Sequence, residues 1–159
     1  MSGKRSRKAG HGYEVEVTKA LRKAGFPHAV TARSANRLRD AQKIDIVNAD
    51  EYTQGRLPYN IQCKNIVQSS RTFNYHKTLE ELPVIEGITN VVLRKLTVKS
   101  ESGKFIAKAK YAFMHQHDFM TMVAELNKLK AQLSVAINFC PEKELDKLIS
   151  KLAVYESDN

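Results

Sequence analysis

The sequence predicts an α/β domain, a central mixed β-sheet flanked by helices, and three observations carry that prediction. A helical apolar face over 12–24 stops at Gly25. Runs rich in β-branched residues recur between 28 and 66 and again between 88 and 114. Apolar residues return to helical spacing after Asp118. The chain has 159 residues, long enough to bury roughly two-thirds of its unfolded surface in one core. Its 42% hydrophobic and 27% charged residues exclude a disordered chain. No run approaches the roughly 20 apolar residues of a membrane span. The basic, polar start Met1–Gly10 carries no secretory signal. Two cysteines, Cys63 and Cys140, with no CxxC pair, exclude a disulfide framework and a zinc ribbon, and fit a reducing cytoplasm.

Taken in order, residues 1–10 read as a flexible basic arm, and 11–156 as a single domain. Over 12–24, Tyr13, Val17, Ala20, Leu21 and Ala24 share a helix face, and Gly25-Phe26-Pro27 ends it. A short strand over His28–Ala32 follows, then a polar, Arg-rich loop to Lys43. Ile44–Asn48 is a β-branched strand. Asp50–Arg56, with Gly55, is a turn, and Leu57–Ile66 returns as the second arm of a hairpin whose regular part starts after Pro58. Phe73–Leu82 reads as a helix stopped at Pro83. Ile88–Val98 and Phe105–Met114 read as strands joined by a turn at Gly103. Asp118 is placed to cap a helix carrying Phe119, Met122, Val123, Leu126, Leu129 and Leu133; Phe119, Met120 and Met122 are expected in the core, and the apolar positions of the C-terminal helices either form an interface or complete the core. Pro141 opens a last helix, Glu142–Leu152, and Ser157–Asn159 is a frayed tail. The order of elements allows an α/β or an α+β domain around one mixed sheet.

The charge points to a partner. Lys and Arg number 26 against 17 Asp and Glu, a formal net charge of +9, with a pI of about 9.6. The surplus is clustered: Lys4, Arg5, Arg7 and Lys8 in the arm, then Arg33, Arg37, Arg39 and Lys43. A polyanion is the partner such clusters suit, and no amphipathic helix with an exposed aromatic face directs the arm to a membrane. Arg37, Arg39 and Lys43 are candidate phosphate contacts. Arg71, Phe73, Tyr75, His76 and Lys77 either touch DNA or pack their aromatics in a helix.

The chemistry concentrates in Ile44-Asp45-Ile46-Val47 and Asn60-Ile61-Gln62-Cys63-Lys64. A carboxylate inside an apolar strand needs a strand end or a partner. By the period of two, Asn60, Gln62 and Lys64 share one face of their strand, with Ile61 and Cys63 on the other. In a hairpin, Asp45, Gln62 and Lys64 converge at one end of the sheet. A carboxylate and an amide oxygen suit Mg²⁺, and a nearby ammonium can orient a water or steady phosphoryl charge. Glu14 adds a second carboxylate if the first helix packs beside the hairpin. His115-x-His117 lacks a third metal ligand, and Cys63 is expected to pack as a small apolar residue.

These residues resemble the PD-(D/E)xK nuclease superfamily, and within it the archaeal-type and phage Holliday junction resolvases. The resemblance runs from about Gly10 to Lys64, and more weakly to about Ala124. It rests on Gly12-Tyr13-Glu14, Leu21 with Gly25-Phe26, Arg33-Ser34, Ile44-Asp45-Ile46-Val47 and Gln62-Cys63-Lys64. It implies a restriction-endonuclease-like fold and a Mg²⁺-dependent endonuclease, with Mn²⁺ as a possible substitute and no nucleotide cofactor. The substrate would be branched DNA, the acting form a homodimer, and the setting the cytoplasm of a bacterial, archaeal or phage-infected cell. Glu14, Asp45 and Gln62, with the carbonyl of Cys63, would hold the metal. Lys64 would position the attacking water, and Arg33 and Ser34 would contact phosphate near the cut. Two positions depart from the pattern. Ile44 replaces a proline, and Gln62 replaces the acidic residue of (D/E)xK, as in Mrr-like restriction nucleases. The alternatives are therefore a repair or restriction nuclease on duplex DNA, or an inactive DNA-binding relative.

Overall fold

The computed structural model describes residues 3–68 and 73–141 together with 144, 146, 147 and 150, and side chains from Ser6 onward. The chain divides into two compact units, Met1–His115 and Gln116–Asn159. Among the described residues no helix is long and apolar enough to cross a membrane.

The first unit is an α/β assembly on one five-stranded mixed sheet, with strands in chain order β1 to β5. Helix α1 (Gly3–Lys23) opens it. The stretch expected as a flexible arm continues this helix, because Arg7, Lys8 and their neighbours form its solvated first turns without a breaker other than Gly10 and Gly12. Gly25 ends it in the left-handed region (φ 97°), with Phe26 N–H donating to Leu21 O and Gly25 N–H to Arg22 O. That is the Schellman stop, which satisfies carbonyls the helix end would orphan.

Strand β1 (Ala29–Thr31) pairs antiparallel with β2 (Ile46–Asn48). The intervening segment, read as loop, holds two short helices, α2 (Ala32–Ala35) and α3 (Arg37–Ala41). The Asn36 side chain accepts from Arg39 N–H and starts the second, a cap that outweighs the polar composition. Asp50 likewise accepts from Tyr52 and Thr53 N–H, and turns the expected hairpin turn into α4 (Glu51–Gln54). β2 meets β3 (Tyr59–Val67) antiparallel, with Ile46 opposite Ile61 as the single registered pair.

After β3, helix α5 (Tyr75–Glu80) carries the chain over to β4 (Thr89–Lys99), which runs parallel to β3 over nine pairs. β5 (Phe105–Phe113) returns antiparallel as an edge strand, with one extra residue, Lys108, opposite the Leu96–Thr97 step of β4. The core has two parts. Tyr13 and Val17 of α1 pack with Ala29, Ile46, Ile61 and Cys63. Ala32, Ile44, Val47, Leu79, Leu82 and Val92 make the other. Odd positions of β3 thus face α1, as the period of two requires.

The second unit is described through α6 (Gln116–Phe139), 24 residues with none buried. Asp118, expected as the cap, lies inside the first turn, where a carboxylate still suits the positive helix end. Phe119 and Met120, expected in the core, are 48% and 55% exposed. The expected last helix and tail fall largely outside the described residues, as do Arg71 and the side chains of Lys4 and Arg5.

Candidate active site

The site is built where β2 and β3 part. Asp45 stands one residue before β2, its backbone held from both sides: its N–H donates to Ile61 O (2.8 Å) and its carbonyl accepts from Ala32 N–H (2.8 Å). Its side chain takes the place of the missing ladder, with Oδ2 accepting from Cys63 N–H at 2.6 Å. A residue in a strand points its N–H and C=O to the same edge. The Cys63 carbonyl therefore faces the open side of β3 where Asp45 sits.

On the neighbouring face, the three polar residues of β3 have different fates. Asn60 is satisfied, with Nδ2 donating to Pro83 O (3.0 Å) and Asn90 Oδ1 (2.9 Å). Gln62 is 2% exposed, and among the described residues nothing donates to its Oε1. An oxygen buried without a partner costs about 1–3 kcal/mol, so this atom is poised for a ligand that can satisfy it. Lys64 is half-buried one pleat further along.

Glu14 reaches the site from α1, 6% exposed. Arg33 Nη2 donates to its Oε1 at 3.4 Å, and His11 Nδ1 lies 3.2 Å from Oε2. Its neighbour Glu16 looks elsewhere, paired with Lys95 and Lys110. The electrostatics tie the group together. Burial pushes the Asp45 carboxyl up to about 6; the Cys63 N–H bond opposes this, Glu14 adds to it, Lys64 opposes it, and Asp40 adds to it. Glu14 and Lys64 are thus near enough to act on Asp45. Burial, then Asp45 and Glu14, push the Cys63 thiol up, which leaves it protonated and packed rather than nucleophilic.

The basic candidates separate. Arg33 is half exposed beside Glu14, and Ser34 Oγ donates to Thr31 O at 2.7 Å. Arg7, Lys8, Arg37 and Lys43 are exposed. Arg39 departs from the expectation of a phosphate contact. It is 7% exposed, and its Nε donates to Glu51 (3.1 Å) and its Nη1 to Gln42 (3.0 Å), so a buried pairing occupies its charge.

Two residues escaped the sequence reading. His11 sits three residues before Glu14, a spacing that places both on one helix face. Arg94 lies opposite Lys64 in the parallel register, its guanidinium 5.6 Å from the Tyr75 ring and 6.0 Å from Phe73. A basic pair, Arg94-Lys95, inside an apolar strand was its signal. Tyr75 itself stacks on Phe113 (3.8 Å between ring centres), so packing accounts for the aromatics of that stretch.

Glu14, Asp45, Gln62 Oε1 and the Cys63 carbonyl would offer oxygen donors only, the donor type that a hard cation such as Mg²⁺ takes. Among the described residues no three His, Cys, Asp or Glu side chains cluster as a metal set, so Gln62 Oε1 and the Cys63 carbonyl would have to complete it. Comparison with protein-family models, with curated proteins and with solved structures finds no match.

Proposed function

We propose that this chain is a Mg²⁺-dependent, structure-selective DNA endonuclease of the PD-(D/E)xK kind, with a restriction-endonuclease-like fold, hydrolysing backbone phosphodiesters of four-way junctions as a homodimer. The observation that carries the reading is Asp45 at the strand fork, in the field of Glu14 and Lys64, accepting from Cys63 N–H on the β3 segment that also carries the orphaned oxygen of Gln62. Glu14, Asp45, Gln62 Oε1 and the Cys63 carbonyl would hold the cation. Bound there, Mg²⁺ supplies Lewis-acid polarisation of a phosphoryl oxygen. Lys64 orients the attacking water and stabilises negative charge at phosphorus as the water oxygen joins and the ester bond breaks. Arg33, held beside Glu14, and Ser34 of α2 grip the phosphate near the cut. Arg7, Lys8, Arg37 and Lys43 add contacts to phosphate without sequence readout.

Gln62 favours a second reading, a duplex-cutting nuclease of the Mrr-like kind, because a neutral amide stands where an acid is usual. A nicking assay with Mg²⁺ or Mn²⁺ on labelled junction and linear duplex separates them. Cutting of the junction alone supports resolution, and equal cutting of both supports the duplex enzyme. Tight binding without cleavage in either metal identifies an inactive DNA-binding relative and ends the nuclease reading. Asp45→Ala and Lys64→Ala are expected to abolish cutting with junction binding retained; normal turnover in either removes its assigned role.

A further inference from the structure

Helix α6 covers more than six turns, carries many apolar side chains and buries none of them. Its apolar residues alternate spacings of three and four: Phe119, Met122, Leu126, Leu129, Leu133 and Ala136. These are the a and d positions of three successive heptads, the seam of a coiled coil, with Val123 and Ile137 as apolar e positions beside it. Leu126, Leu129 and Leu133, in the middle of the seam, are 51%, 61% and 60% exposed. Outside the a and d positions, Met120, Val135, Ile137 and Phe139 are also exposed.

The flanking positions say what covers the seam. In this register Glu125 is a g position and Lys130 an e position, and 130 − 125 = 5. In a parallel two-stranded coil each g residue lies beside the e residue five places further on in the other helix. Two copies of α6 aligned in parallel therefore bring each Glu125 against Lys130 of the other copy, twice across the dyad. In an antiparallel pair, g faces g and e faces e, and these opposite charges are not brought together. A second copy thus supplies both the apolar complement and the charge complement.

We propose that α6 is a dimerisation element, pairing with α6 of a second copy as a parallel two-stranded coiled coil. The inference gives a surface to the dimer in the functional reading, but it stands on α6 alone and is tested without DNA.

Light scattering of the full chain after size exclusion is expected to give twice the 18.0 kDa of one chain. Leu126→Glu with Leu133→Glu should give one chain's mass while the thermal unfolding of the α/β unit stays as it was. The charge swaps keep the apolar seam intact. Glu125→Lys or Lys130→Glu alone should weaken the dimer roughly threefold to tenfold, from two lost pairs and two like-charge contacts, and the double swap should restore it. Leu133→Cys in a Cys140→Ser background should form a covalent dimer on mild oxidation, and Ser134→Cys in the same background should not. A monomer at tens of micromolar, a mass of three chains or more, a dimer that survives the leucine substitutions, or charge swaps without rescue would each overturn the proposal. None of these outcomes bears on cleavage, so the nuclease reading and the coiled coil fail separately.

Discussion

Asp45 shows how one residue can be both a tool and a burden. Its folded-state carboxyl titrates near 6 against an ordinary 3.8, with burial as the largest cause. The folded protein then binds a proton more tightly than the unfolded chain. Stability is higher below about pH 4, falls as pH rises to about 6, and stays at the lower level above that. Asp45→Asn, which keeps an oxygen for Cys63 N–H, should remove this fall. Denaturant unfolding at pH 7 should show a gain of about 1–3 kcal/mol, little or none at pH 4, and no cleavage at any pH. A variant less stable than the parent at pH 7 would show that the carboxylate is stabilised by partners that outweigh its burial. Arg39 and Arg37, two residues apart, divide in the opposite way. Arg39→Ala breaks a part-buried pair with Glu51, which keeps Arg56 as a partner, and should cost about 1–3 kcal/mol in denaturant unfolding while the fold that remains binds DNA as before. Arg37→Ala should leave stability within about 0.5 kcal/mol, weaken DNA binding, and reduce the salt slope by about one. Equal salt slopes for parent and Arg37→Ala would remove Arg37 from the interface.

At the scale of elements, the decisive feature is how little β2 and β3 pair. One registered pair, Ile46 with Ile61, joins them before Asp45 separates them, and Ile46 is 1% exposed in the α1-side core. Ile46→Ala should lower stability by about 2–5 kcal/mol and loosen the fork. The expected result is lost cleavage with slower loss of secondary structure than of activity on heating; activity that tracks global unfolding would show the fork to be no weaker than the sheet. Helix α1 is tied to the far strands by Glu16, which pairs with Lys95 of β4 and Lys110 of β5. Hydrogen bonds from Lys110 and then Lys95 hold the Glu16 carboxyl below its ordinary value, so its contribution is present at neutral pH and is lost as pH falls through the acid range. Glu16 is a third exposed, so Glu16→Gln should cost under about 1 kcal/mol at pH 7, a difference that vanishes near pH 3. An undiminished difference at pH 3 would assign the loss to packing rather than charge.

At the scale of the molecule, the positive charge and the division into two units belong together. Exposed Arg7, Lys8, Arg37 and Lys43 all lie in the α/β unit, which also holds the carboxylates, so DNA binding and hydrolysis are expected from the same unit. Binding should fall steeply with salt, with log–log slope near the number of phosphates contacted. A slope near zero, measured by fluorescence anisotropy on a labelled junction between about 50 and 200 mM salt, would contradict a phosphate-led interface. If Mg²⁺ completes the donor set, calorimetry should detect its binding to the full chain, and Gln62→Ala should weaken that binding without unfolding the protein. Equal affinities would leave the buried oxygen of Gln62 without a role.

The local signals in this chain are legible because they are local. Gly25 after an apolar helical face, the alternation through Gln62-Cys63-Lys64 and the turn at Gly103 each depend on neighbours in sequence, and the structure follows them. The placement of Asp45 against β3, in the field of Lys64, was also within reach, since period two and a two-strand pairing suffice. The fate of each charge was not. Arg39 turned inward because Glu51 lies 12 residues away on a helix that Asp50 caps. Asn60 found Pro83 and Asn90 only because β4 runs parallel beside β3. Phe119 reads as core because an apolar stripe has the same spacing whether or not its own chain covers it, while Met120 lies one residue off that stripe. Hydrophobic period and capping chemistry act over a few residues and are written in the sequence. Burial and partner choice are settled by which distant segments the sheet brings together, and only the tertiary structure decides them.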